Sequence, residues 1–278
     1  MKAAEILGTD SLLFVEPEFA DQTEIMFNIV LADYEMDEGR FLLDEKQEPL
    51  AIAFHGADGW VAGSFLHRNP SAALIERFES VNGEILQEDR AVWARAVRDY
   101  FSRKIMGEVP PSNEDLNPKR RGILSNLIAG IWGQGNGETC IDCCCGSGVG
   151  SLVLRDLGFQ PLSYDNDETL LSRGFAEGRL LPEETMWLDA TSASCYIEPV
   201  PKGIAIMAGE FNSFSEDMWV GIIGELFVIT QETLVTVGTE KEALQVKQWG
   251  AAMGRTVDVR ENPGDPIYDL WVCHAKPA

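Results

Sequence analysis

The sequence predicts an α/β fold, with a doubly wound and mostly parallel sheet in its C-terminal part behind a helical N-terminal region. Three observations predict it. From Thr139 onward, short apolar runs alternate with helix-like segments across short connections. A glycine-rich turn, Gly146-Ser147-Gly148, follows the first of these runs. The last two runs have no helix between them, so one of the two is expected to be antiparallel.

The elements follow in order. Ile25, Phe27, Ile29, Val30 and Leu31 recur among acids at helical spacing, and residues 72–106 read as a helix broken at Asn82-Gly83. Val109-Pro110-Pro111-Ser112-Asn113 has the composition of a turn. It divides a mainly helical region, residues 1–110, from a second domain, residues 111–278. The first is expected to cap a ligand cleft and select the substrate. A helix over 119–132 puts Ile123, Leu124, Leu127, Ile128 and Ile131 on one stripe, and Gly133, Gly135 and Gly137 end it. Strands are then predicted at 139–143, 162–164, 186–188, 204–207 and 234–237. Helices are predicted at 151–157, 169–176, 215–229 and 241–253. Strands at 257–259 and 270–273, around Asn262-Pro263-Gly264-Asp265, close the chain.

The charge bears on partners. The chain of 278 residues carries 22 basic and 45 acidic side chains, a formal net charge of −23. Nucleic-acid binding relies on neutralising phosphates with Lys and Arg. The basic residues concentrate only at Lys119-Arg120-Arg121 and, before it, Arg95, Arg98, Arg103 and Lys104. A nucleic-acid partner is therefore disfavoured. No apolar run is long enough to span a membrane. The start of the chain, with Lys2, Glu5 and Asp10, lacks the layout of a signal peptide, so a cytoplasmic protein is expected. Nothing in the sequence specifies an oligomeric state.

Cys140, Cys143, Cys144 and Cys145 crowd together, with Cys195 and Cys273 apart. Neighbouring cysteines on an extended segment point to opposite faces, so they are not expected to bridge each other or grip one metal. No metal site is predicted, and the thiols read as small apolar residues. His55, in the predicted loop Phe54-His55-Gly56-Ala57-Asp58-Gly59-Trp60, and His274 read as residues without chemical duty. Trp132, Trp187, Trp219, Trp249 and Trp271 read as core.

Chemistry concentrates in Ile141-Asp142-Cys143-Cys144-Cys145-Gly146-Ser147-Gly148-Val149-Gly150, between a strand and a helix. Glycines let a ligand approach the backbone, and the helix start offers unpaired N–H groups. Asp165 ends the next strand, where a ribose-gripping carboxylate belongs. A dinucleotide fingerprint needs glycine at 151, and Ser151 stands there. Together with Asp142 it disfavours a nicotinamide-dependent oxidoreductase.

Asp142-Cys143-Cys144-Cys145-Gly146-Ser147-Gly148 resembles the first motif of class I S-adenosylmethionine-dependent methyltransferases, in its D-x-x-C-G-S-G variants. Tyr164-Asp165-Asn166-Asp167 is similar to that family's acidic ribose motif, and Leu188-Asp189-Ala190 to the Asp-Ala bordering the adenine. The resemblance covers residues 119–278 and none of 1–118. It implies a seven-stranded sheet with a reversed last strand, and S-adenosylmethionine as cofactor. By likeness, Asp142 orients the loop, and Cys144, Gly146, Ser147 and Gly148 flank the methionine part. Asp165 binds the ribose hydroxyls, Asn166 lies along the adenine, Asp189 accepts the adenine amino proton, and the Ala190 backbone stands beside it. Lys119-Arg120-Arg121 reads first as a solvated helix start; in related folds this helix can pass near the cofactor carboxylate, where Arg121 would assist.

After the fourth strand, Met207-Ala208-Gly209-Glu210-Phe211-Asn212 lacks the Asn/Asp-Pro-Pro-aromatic tetrad of base N-methyltransferases. Glu210 is the candidate to position or deprotonate a nucleophile, with Asn212 as its companion. The expected activity is methyl transfer to a small molecule or a protein side chain. The alternatives are a nucleic-acid methyltransferase and a protein that binds the cofactor without turnover.

Overall fold

The run Leu50-Ala51-Ile52-Ala53-Phe54 is apolar at every position, so a strand built from it must be covered on both faces. In the computed structural model, which describes residues 2–81, 83–114 and 116–278, it forms most of β3 (Pro49–Gly56), and all of its side chains are buried. Around it lies a five-stranded sheet ordered β1 (Leu13–Phe14), β4 (Gly59–Ser64), β3, β2 (Glu38–Leu43), β5 (Glu84–Gln87). The pairs β2–β3 and β3–β4 are antiparallel, whereas β1 runs parallel to β4 and β5 to β2. After the short α1 (Ala3–Ile6), helices α2 (Met26–Ala32) and α3 (Ala72–Ser80) contribute Leu31, Leu74 and Phe78 to a core with Ile52, Phe54, Val61 and Phe65. From α4 (Arg90–Glu108), Trp93 and Phe101 meet Phe14 with ring centroids 6.0 and 5.6 Å apart.

The mainly helical reading of residues 1–110 is thus corrected. Ala51, Ala53, Ala62 and Gly63 build the strands, residues with weak strand preference, and burial on both faces removes the alternation that marks a strand. The helix expected over 72–106 is two helices with β5 between them, and Asn82 of the expected break lies outside the described residues. His55 sits within β3 rather than on a loop, with Nδ1 2.9 Å from the Asp37 carboxylate. The two compact units meet between Lys104 and Ile105, inside α4, ahead of the Pro110-Pro111 turn.

The second unit follows the predicted alternation. Its elements are α5 (Arg120–Trp132), β6 (Thr139–Cys143), α6 (Val149–Asp156), β7 (Gln160–Asp165), α7 (Glu168–Ala176), β8 (Thr185–Trp187) and β9 (Val200–Ala205). They continue with α8 (Glu216–Ile229), β10 (Thr230–Val237), α9 (Glu240–Ala252), β11 (Arg255–Glu261) and β12 (Trp271–Pro277). The sheet order is β11-β12-β10-β9-β6-β7-β8, parallel except for β12, which is antiparallel to both neighbours. Leu124 and Ile128 of α5 and Val153, Leu154 and Leu157 around α6 pack with Cys140, Ile204, Leu234 and Val272 of the sheet. The chain builds outward from β6 through β7 to β8, then returns to the other side of β6 with β9. Connections therefore leave the tips of β6 and β9 in opposite directions, which opens a crevice between them. No helix among the described residues is long and apolar enough to cross a membrane.

Candidate functional site

At the tip of β6 the backbone leaves the strand through positive φ angles at Cys144 (53°), Gly146 (51°) and Gly148 (81°). Glycine takes such angles freely, while a side chain costs about 1–2 kcal/mol. The Cys145 N–H donates to the Tyr164 carbonyl at 3.0 Å, and the Gly148 N–H to the Cys145 carbonyl at 2.9 Å. A Cβ at 148 would stand 2.5 Å from Leu180, so only glycine fits. The Arg179 guanidinium braces the turn from outside, donating to the Ser147 carbonyl at 2.8 Å and pairing with Glu114 at 2.9 Å.

Asp142 lies beneath this loop, almost wholly buried. Its carboxylate accepts the Ser151 hydroxyl at 2.6 Å, and Ser151 in turn meets Ser163 at 2.7 Å. Burial pushes the Asp142 pKa up to about 7, with the Ser151 hydrogen bonds opposing it. Gly150 makes room for the carboxylate, because a Cβ there would sit 2.7 Å from both oxygens. The serine that disfavours a dinucleotide fingerprint therefore has its own task, which is to hold the acid under the loop.

Asp165, at the tip of β7, is buried, and its oxygens accept the Gly146 N–H at 2.8 Å and the Asp167 N–H at 2.9 Å. Burial raises its pKa, and the backbone donors oppose the rise. This residue braces the glycine loop as well as standing where a ribose is expected.

A cavity of about 270 Å³ opens in the crevice between β6 and β9. Asp142, Cys144, Gly146 and Ser147 line one side, Met207 another, and Arg120 and Tyr268 close it. Arg120, at the start of α5, is nearly buried, with Nη2 2.9 Å from the Asp269 carboxylate and the guanidinium 5.4 Å from the Tyr268 ring centroid. Its Nη1 is buried and makes no hydrogen bond among the described residues, though it lies 3.9 Å from the Asp265 carboxylate. Asp269 is wholly buried and also accepts the Thr236 hydroxyl at 2.5 Å and the Met207 N–H at 3.1 Å. Burial raises the Asp269 pKa while Arg120 opposes the rise. The network ties the start of α5 to the exit of β9, where Met207 takes a φ of 61°. Arg121 points to solvent and pairs with Asp156 at 2.7 Å, as a solvated helix start does.

The remaining predicted residues stand outside that cavity. Asn166 is exposed, and its carbonyl accepts the Trp187 indole N–H at 3.0 Å. Asp189 is exposed and caps the 3₁₀ turn Ala190–Cys195, accepting the Thr191 N–H at 2.9 Å, while Ala190 is buried. Trp187, like Trp132, Trp219, Trp249 and Trp271, is half-buried rather than a core residue. Glu210 and Asn212 form an exposed turn ahead of α8. The Asn212 side chain accepts the Phe214 N–H at 2.9 Å and donates to the Glu210 carbonyl at 3.0 Å. Sequence reasoning missed Arg120, Asp269, Arg179 and Tyr268. Arg120 alone left a signal, since it precedes the buried Leu124 and Ile128 by four and eight positions and so shares their helix face.

No model of a known protein family matches the chain, and no curated protein matches it. Among solved structures it is similar to magnesium protoporphyrin IX methyltransferase from Synechocystis PCC 6803, with TM-score 0.48 and 13% identity over 66% of this chain and 96% of that one. It is also similar to the ribosomal protein L11 methylase from Lactobacillus delbrueckii subsp. bulgaricus, with TM-score 0.44 and 14% identity over 59% and 81%. A third is precorrin-6y C5,15-methyltransferase from Geobacter metallireducens, with TM-score 0.44 and 10% identity over 62% and 95%. The C-terminal unit has β6 at the centre of seven strands and β12 reversed, the sheet that the sequence resemblance implies.

Proposed function

We propose that this protein transfers a methyl group from S-adenosylmethionine to a small-molecule or protein acceptor. Arg120 is the observation that carries the reading. A nearly buried guanidinium that faces two carboxylates, Asp269 and Asp265, and keeps an Nη1 with no hydrogen bond among the described residues, lining a cavity walled by the glycine loop, suits a carboxylate such as that of a methionine. In this reading the backbone of Cys144, Gly146, Ser147 and Gly148 flanks the methionine part, and Asp142 holds the loop's shape. The lone pairs that Asp165 has left take the ribose hydroxyls. Asn166 and Ala190 border the adenine, and Asp189 accepts its amino proton.

The bound cofactor supplies an already activated methyl group. What remains for the chain is to align the acceptor in line with that methyl and to remove a proton where the nucleophile carries one. Glu210, in the loop that begins at the cavity-lining Met207, is assigned that acceptor-side role, with Asn212 holding its turn. Glu210→Gln is expected to lower turnover by roughly tenfold or more without changing cofactor affinity; unchanged turnover removes the assignment. Pairing of Arg120 with Asp269 and Arg121 with Asp156 neutralises the basic cluster at the start of α5, which supports a small-molecule or protein acceptor over nucleic acid.

The test is calorimetric titration with S-adenosylmethionine, its demethylated product and NAD separately. Binding of the first two and not the third is expected. Binding of NAD alone overturns the reading.

A further inference from the structure

On an extended strand the thiols of neighbouring cysteines point to opposite faces. Here β6 stops at Cys143, and the positive φ of Cys144 swings the second thiol back, so the two Sγ atoms lie 3.8 Å apart. Both are free thiols, Cys143 buried within the sheet and Cys144 half-buried and lining the cavity. Glycine would adopt the same backbone angle without penalty, whereas the side chain at 144 carries a cost of about 1–2 kcal/mol. Cys145 is turned away, into a cluster with Leu171, Phe175 and Leu180.

We propose that Cys143 and Cys144 form an oxidative modification site, closed by a peroxide-class oxidant into a disulfide between adjacent residues that disables the cavity. The Cys144 sulfur, as thiolate, attacks a peroxide oxygen; the O–O bond breaks, giving a sulfenic acid and, after protonation, water. The Cys143 sulfur then attacks the sulfenic sulfur. The S–O bond breaks, the S–S bond forms and a second water leaves. Two thiols lose two hydrogens, and the peroxide is reduced to two waters. Contact with Cys143 and burial raise the Cys144 pKa, so the first step is slow and needs sustained oxidant.

Closure must distort the loop. Adjacent Cα atoms are about 3.8 Å apart across a trans peptide, short of the roughly 4.4–6.8 Å that a disulfide normally spans. The backbone between 143 and 144 therefore has to move, and it is the backbone that shapes the cavity. A strained disulfide is also readily reduced, which makes the modification reversible. Its effect on cofactor binding rests on the function proposed above; its formation does not.

The experiment uses the full chain carrying Cys195→Ser, which removes the exposed thiol. After hydrogen peroxide, denaturation and alkylation, mass spectrometry is expected to find Cys143 and Cys144 unalkylated and lighter by two hydrogens, with Cys140 and Cys145 alkylated. Affinity for S-adenosylmethionine is expected to fall at least about tenfold and to return with dithiothreitol. Cys143→Ala, or Cys143→Ser should the smaller side chain unfold the strand, is expected to bind the cofactor and lose the peroxide effect. Alkylation of both residues, a sulfinic acid on Cys144 alone, or a disulfide that leaves affinity unchanged would overturn the proposal. If the reduced protein fails to bind S-adenosylmethionine, the cofactor reading falls, and the mass measurement still decides the modification site.

Discussion

The two ends of the crevice rim are built in opposite ways. At the switch point the ionisable groups are buried and held by fixed partners, Asp142 by Ser151 and Asp269 by Arg120: Asp142 and Asp269 are 2% and 0% exposed, and Arg120 is 8% exposed. At the tips of β7 and β8, Asn166 and Asp189 are exposed, the Asn166 carbonyl taking the Trp187 indole N–H and Asp189 capping a 3₁₀ turn. Buried, mutually paired groups hold one geometry and are costly to disturb, whereas exposed ones act singly and weakly. In the proposed function the rigid end receives the methionine part, where alignment decides the reaction, and the open end receives the adenine, which needs only affinity.

Replacing Arg120 should have the largest effect. Arg120→Met leaves the Asp269 carboxylate buried without its cation, expected to cost about 3–5 kcal/mol in a denaturant titration, and to remove cofactor binding. Wild-type stability in that variant would show that the end is not locked by this pair.

Asp142 gives the next effect, through pH. Its folded pKa of about 7 lies above the ordinary carboxyl value of 3.8, so the folded state holds the proton more tightly than the unfolded one. Its contribution is present in full below the unfolded pKa and is lost as pH rises toward 7, by up to about 4 kcal/mol. Asp142→Asn cannot titrate at this position, so stability should fall more steeply with rising pH in the wild type than in the variant across this window. Equal slopes would mean that Asp142 is not buried as described.

Asp165→Ala comes third. The Gly146 and Asp167 N–H groups lose a charged acceptor, a loss of about 1.5–3 kcal/mol, or roughly 10–150-fold in cofactor affinity. Binding at wild-type strength would remove both its ribose and its bracing roles. Smallest is Asp189→Ala, expected to weaken binding by less than about tenfold, as one exposed hydrogen bond should; a larger loss than that of Asp165→Ala would invert the comparison between the two ends.

The open end was more legible in the sequence than the locked one. Asp165, Asn166 and Asp189 follow strand tips, and the glycine loop lies between β6 and α6, all within local patterns that strand–helix alternation exposes. The locked end depends on a contact between Arg120 and Asp269 across 149 positions, which no local pattern carries. One helical position, a turn of about 100°, separates the exposed Arg121 from the cavity-lining Arg120. The thiols are free, as read, but the opposite-face placement of Cys143 and Cys144 fails, because alternation of faces holds on a strand and the strand ends one residue earlier. In the N-terminal unit the strands hide in alanine-rich segments buried on both sides.

The most direct test of the locked end is calorimetric titration of the wild-type protein with S-adenosylmethionine and with its decarboxylated form. With Arg120 Nη1 as the carboxylate's partner, the decarboxylated form should bind at least about tenfold more weakly. Equal affinity for the two would contradict the account.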